Sequence, residues 1–198
     1  GGLITNLVKE FLTYTASSKD TSFVVVGKKL EQQVVKLPNE ILASFTFGTT
    51  LPHFDMVYPI TKLIDEYFLS GKVQTVKVLF ANFVNFFSQT PKIATLLPLS
   101  IPEEKEKEIK NQSDQLYEPS VSALLSPLLR HYVEMSLYQF LLESYLSEQA
   151  SRMIAVQNAT NNAKDIIEGL KLEYNKTRQA KITSELLDIT GGRISQYA

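Results

Sequence analysis

The sequence predicts an α/β protein in which a layered, Rossmann-like α/β domain is followed by one very long C-terminal helix. Three observations carry that expectation. The first hundred residues alternate between helical and extended periodicity. From Val121 to about Ile189 the only glycine is Gly169 and the only proline is Pro127. Along that same stretch apolar residues recur at heptad spacing. The expected organisation is a base domain over 1–100, an acidic linker over 101–118 and the long helix over 119–198.

The elements follow in order. Leu3, Ile4, Leu7, Val8, Phe11 and Leu12 repeat at the three-to-four spacing of one helix face, which predicts a first helix over Leu3 to Tyr14. Phe23 to Gly27 reads FVVVG, a β-branched run of the kind a buried parallel strand needs. A second extended stretch is expected over Leu42 to Gly48, where aromatics and threonine dominate before Thr49, Thr50 and Pro52 break the pattern. Val57, Ile60, Ile64, Tyr67 and Phe68 share a helical face within Phe54 to Leu69, and Ser70 with Gly71 supplies the stop. Val73 to Phe83 and Ile93 to Pro98 complete the set as strands. Helices interleaved with strands in this way predict a layered α/β domain.

Composition sets the bounds. The chain has 198 residues, 44% of them hydrophobic and 21% charged, a balance that folds. Twenty basic and 21 acidic residues leave a formal charge of −1, so the positive field that would hold a phosphate backbone is absent and no nucleic acid is expected. Cysteine is absent, which excludes disulfides, thiol catalysis and thiolate metal sites. The most apolar window, Val76 to Phe87, is interrupted by Lys77, Asn82 and Asn85 and cannot span a bilayer, so no direct membrane insertion is expected. The first residues, Gly1 to Phe11, carry no signal-peptide pattern.

Residues 101–118 hold six acids against three lysines and read as a solvated linker. At its end Tyr117, Glu118, Pro119 and Ser120 suit a helix start. Pro127 complicates the start, because a proline inside a helix removes a hydrogen bond and crowds the preceding turn; either Ser126 is the N-cap or the helix kinks there. At about 1.5 Å per residue the whole element would reach on the order of 100 Å, so its far end is expected to meet something outside this chain. Leu142, Leu146, Gln149, Met153, Val156, Thr160, Ala163, Ile167, Leu170, Tyr174 and Thr177 stand at heptad spacing, and eight of these eleven are apolar. That is a coiled-coil seam lacking its partner strand. Past Tyr174 the apolar set becomes Ile182, Leu186 and Ile189, displaced by one position, which turns a different face outward. Seven acids and seven bases over 141–198 give this shaft no net charge.

The residues themselves carry a resemblance. YNKTRQAKITSELLDITGG, Tyr174 to Gly192, resembles the C-terminal signature of the F-type ATP synthase gamma subunit, and SEQASRMIAVQNATNNA, Ser147 to Ala163, resembles the stretch before it. The opening GGL, the segment SQTPKIATLLPL and LYEP at Leu116 to Pro119 are similar to further family segments, so the resemblance covers the whole chain. It implies that the long helix forms half of an antiparallel coiled coil inside a ring of alpha and beta nucleotide-binding subunits, with the α/β domain at the base. The partner helix would precede Gly1, so the sequence is expected to lack the family's N-terminal helix and not to couple rotation to catalysis by itself. The resemblance places Arg178, Gln179, Thr183 and Glu185 against the catalytic subunits of the ring, Arg152 a few turns lower, and Tyr117 and Glu118 beside the epsilon subunit or the membrane c-ring. It implies a peripheral protein on the cytoplasmic face of a bacterial inner membrane, or on the mitochondrial matrix side in a eukaryote. The cysteine-bearing insert of chloroplast members is absent, which favours those two origins.

Other chemistry finds little support. Gly27, Lys28 and Lys29 lack the first glycine and the hydroxyl of a phosphate loop and read as a strand end with solvated lysines. His53 and His131 have no partner at metal-ligand spacing. Asn111, Asn158 and Asn175 begin N-x-[ST] triplets that are expected to stay unmodified without an export signal. No catalytic residue, cofactor or metal is therefore expected in this chain. Three readings stay open: a torque-transmitting stalk, an α/β adaptor using its helix as a static coiled-coil partner, and an α/β enzyme, the last with least support.

Overall fold

The computed structural model describes residues 2–17, 20–48, 50–99, 118 and 120–194. The expected linker lies outside the described residues apart from Glu118, as does Tyr117. In order come α1 (Gly2–Ser17), β1 (Phe23–Val26), α2 (Lys28–Val34), β2 (Ile41–Phe45), a single 3-10 turn (Phe54–Val57), α3 (Tyr58–Leu69), β3 (Val76–Asn85), β4 (Ser88–Leu97) and α4 (Val121–Ile194). The expected α/β layering and long helix are both present. The four strands form two two-stranded sheets, β1 parallel to β2 and β3 antiparallel to β4.

Local chemistry explains the boundaries. The β1 run ends at Gly27, whose φ of 111° only glycine adopts without strain. This turn starts α2 directly on Lys28, a helix absent from the sequence reading, which took the trio as a strand end. The stop expected after α3 is a Schellman closure. Gly71 (φ 73°) donates its N–H to Phe68 O at 3.1 Å and Lys72 donates to Tyr67 O at 3.1 Å. β3 lies a few residues later than the Val73 to Phe83 expected, β4 begins earlier than the Ile93 expected, and the two meet at a turn without glycine. There Asn85 Oδ1 accepts from the N–H groups of Phe87 (2.9 Å) and Ser88 (2.8 Å) and does the turn's work.

The chain divides into two compact units, Gly1–Ser151 and Arg152–Ala198. In the first, the larger core gathers Val57, Ile60, Ile64 and Leu96 with Val133 and Leu137 of α4, and a smaller one gathers Phe11, Val25 and Val34. Burying each such side chain contributes about 1.5–3 kcal/mol, so the foot of α4 is held mainly by its apolar face. Arg130 Nε adds an ion pair to Glu134 Oε1 at 3.3 Å and a longer one to Asp65 Oδ2 of α3 at 3.8 Å.

The start of α4 rules out one of the two alternatives raised by Pro127. Ser120, not Ser126, is the N-cap: its Oγ accepts from Ala123 N–H at 3.3 Å and its carbonyl from Leu124 N–H at 3.1 Å. Pro127 lies inside the helix. The lost bond is tolerable because residues 120–132 are all exposed, so water can reach the carbonyl that a proline leaves without a donor.

Candidate functional site

Between Val133 and Ser151 α4 has a buried face and an opposite one. Val133, Leu137, Phe140, Ser144 and Ser147 recur at alternating spacings of four and three and are buried or half-buried. The heptad seam that begins Leu142, Leu146, Gln149 is offset from that row by two positions, about 200° around a helix of 3.6 residues per turn. The seam therefore starts on the side turned away from the core, where Leu142 and Gln149 are half-buried and Leu146 is exposed.

Polar contacts fix the buried face in place. Ser147 Oγ donates to Ala81 O of β3 at 3.0 Å, and Ala81 N–H donates to Ser144 Oγ at 3.3 Å. Tyr138 OH donates to Pro52 O at 3.2 Å. Phe80 of β3 and Phe140 lie with ring centroids 4.5 Å apart. None of these contacts was legible in sequence, since a serine inside a long helix gives no local sign of a strand more than sixty residues away.

The second unit presents its side chains outward. From Arg152 to Asp188 every residue is exposed except the half-buried Ile154. The seam members Met153, Val156, Ile167, Leu170 and Tyr174 are among them, and so is Ile182 after the change of register. Large apolar side chains repeating along one helix mark a surface built for another protein segment.

The sequence-selected residues fall on this surface. Arg178 and Glu185, seven apart, share one face; Gln179 and Thr183, four apart, share an adjacent one. All four are exposed. Thr183 Oγ1 donates to Gln179 O at 2.9 Å, turning its hydroxyl back onto the helix. Arg152 is exposed at the start of the unit and Glu118 is exposed in a bend before α4. Arg152 stands 26 positions from Arg178, so the set forms a distributed surface and no convergent pocket. Among the described residues no three His, Cys, Asp or Glu side chains gather as a metal would need, and no helix is long and apolar enough to cross a membrane.

Known proteins agree on what such a chain is. A family model described as ATP synthase matches residues 1–195. The ATP synthase gamma chain of Dehalococcoides mccartyi is 39% identical over 193 residues, spanning 97% of this chain and 67% of that protein. The ATP synthase gamma chain of Legionella pneumophila is 33% identical over 196 residues, spanning 97% and 68%. Among solved structures, a chain of the central stalk and c-ring of the Tetrahymena thermophila mitochondrial ATP synthase matches with a TM-score of 0.62 at 21% identity, over 81% of this chain and 70% of that one. A chain of the Euglena gracilis mitochondrial ATP synthase matches with a TM-score of 0.58 at 19% identity, over 96% and 67%. At those identities the structures speak for the fold, which is the α/β domain with its long helix. The matches in sequence go further: the chain belongs to the ATP synthase gamma chain family.

Proposed function

We propose that this chain is the rotor stalk of an F-type ATP synthase, passing torque between a proton-translocating membrane ring and the ring of alpha and beta subunits where ATP is made or hydrolysed. The observation that carries the reading is the exposed, heptad-spaced seam of α4, which begins on the side of the helix opposite its anchored face. A shaft anchored on one side and apolar on the other suits a second helix along the seam and leaves the remaining faces for a surrounding ring. Those faces differ from one another because the seam shifts register after Tyr174. A ring of like subunits then meets a different surface at each site, and turning the shaft biases each site in turn by differential contact. The bond-making groups belong to the ring, and this chain acts without a catalytic residue of its own.

Arg178 and Glu185 on one face, Gln179 and Thr183 on the next, and Arg152 lower on the shaft are the contacts with the catalytic ring on this reading. Tyr117 and Glu118 face the epsilon subunit or the c-ring. The protein works at the membrane surface through these partners, on the cytoplasmic face in a bacterium or the matrix side in a mitochondrion. The test is to co-express the natural gene product that carries this sequence with the alpha, beta and epsilon subunits. Co-elution with the ring and a changed rate of ATP hydrolysis are expected. A ring that assembles while this chain elutes alone contradicts the reading.

A further inference from the structure

The geometry points to a two-serine clasp, Ser144 and Ser147 on Ala81, as the element that fixes the rotational and axial register of α4 on its base and so delivers the shaft's torque; the inference rests on the rotor reading above. Ala81 is 1% exposed and Ser147 0% exposed. Both backbone polar groups of Ala81 are taken by side chains one helical turn apart, the carbonyl by Ser147 Oγ at 3.0 Å and the N–H by Ser144 Oγ at 3.3 Å. In an antiparallel strand the N–H and C=O of one residue point the same way, and at Ala81 both turn to α4, so the bonds that β4 does not make are made by the two serines.

The rest of the foot is held mainly by apolar packing, with one hydrogen bond from Tyr138 OH to Pro52 O at 3.2 Å and a longer Arg130–Asp65 ion pair beside it. Such packing is strong but non-directional, so under a twisting load a smooth helix can exchange one set of apolar contacts for another. Hydrogen bonds bind direction as well as distance. Two of them, from one residue's backbone to two points on the helix, resist rotation about its axis and sliding along it together. The contact is close because the residues are small: Ala81, Ser147 and Ala150 are all buried. Its position along α4 suits the role, since Ala150 is the last buried residue before the exposed run to Asp188.

The experiment uses the assembled synthase in membrane vesicles and compares three versions of this chain: unaltered, Ser144→Ala with Ser147→Ala, and Ser136→Ala. Ser136 Oγ donates within its own helix, to Tyr132 O at 2.8 Å, so its loss controls for removing a hydroxyl from α4. The double variant is expected to assemble and hydrolyse ATP while pumping fewer protons per ATP. The Ala81 amide should exchange about tenfold faster or more, the effect of leaving its buried N–H without an acceptor. Ser136→Ala should match the unaltered protein, and Ser147→Ala alone should lose part of the coupling, which keeps the test open if the double variant assembles poorly. Unchanged protons per ATP in both Ser147 variants overturns the clasp and leaves the rotor standing. Failure of the unaltered chain to enter the complex overturns the rotor reading and the clasp with it.

Discussion

The two ends of α4 share one secondary structure and opposite surroundings. Val133 and Leu137 near the foot are buried in a core built by α3, β4 and the turn before α3. Leu170 and Leu172 further along are 59% and 72% exposed. The foot is helical because packing a face of it is favourable. The distal part relies on the propensity of its Leu, Glu, Ala, Lys and Gln residues, which alone sustains helices only marginally in water. The difference teaches that one continuous helix can be a domain element at one end and a partner-dependent element at the other, and that the change falls near Ser151, where burial stops.

That contrast can be broken or sharpened by substitution. The largest expected effect is at the foot: Leu137→Ala should cost the purified protein about 2–5 kcal/mol by urea unfolding, from lost transfer energy and the cavity left behind. Leu170→Ala should cost less than about 0.5 kcal/mol in the same assay, as for other exposed positions. Equal losses at the two sites would erase the distinction. Gly71→Val should cost about 1–3 kcal/mol, because a β-branched residue is strained at the φ of 73° that closes α3. Ser120→Ala should cost about 1 kcal/mol by removing the cap of α4, visible as fraying of residues 121–128 in amide exchange. The smallest effect on stability is predicted for Arg178→Ala, within about 0.5 kcal/mol for the free protein. Its effect should appear instead as altered ATP hydrolysis by the assembled complex.

Much of this arrangement was legible because the physics behind it is local. FVVVG announced β1, since a strand covered on both faces favours an unbroken β-branched run, and Ser70 with Gly71 announced the end of α3. The long helix was legible from the near absence of glycine and proline, and the seam from its heptads. The misses have non-local or side-chain causes. α2 is only seven residues long, too short for periodicity to register. The first half of β4 is polar and contains Pro91, so only its apolar end stood out. The hairpin turn carries no glycine because Asn85 caps it, and it leaves Phe87 86% exposed. The Ser144 and Ser147 contacts depend on a strand 63 and 66 residues away. As for the candidate site, its residues were chosen through the resemblance to the gamma subunit family, and the fold places the described ones on exposed surface.

Hydrogen exchange on the protein alone and in the assembled synthase tests the central claim most directly, because it reads both parts of α4 in one experiment. The account predicts slow exchange over 133–150 in both samples, and exchange over 152–188 that is fast alone and slowed in the complex. Exchange over 152–188 that does not change on assembly would contradict it, since a shaft working inside a ring must be covered there.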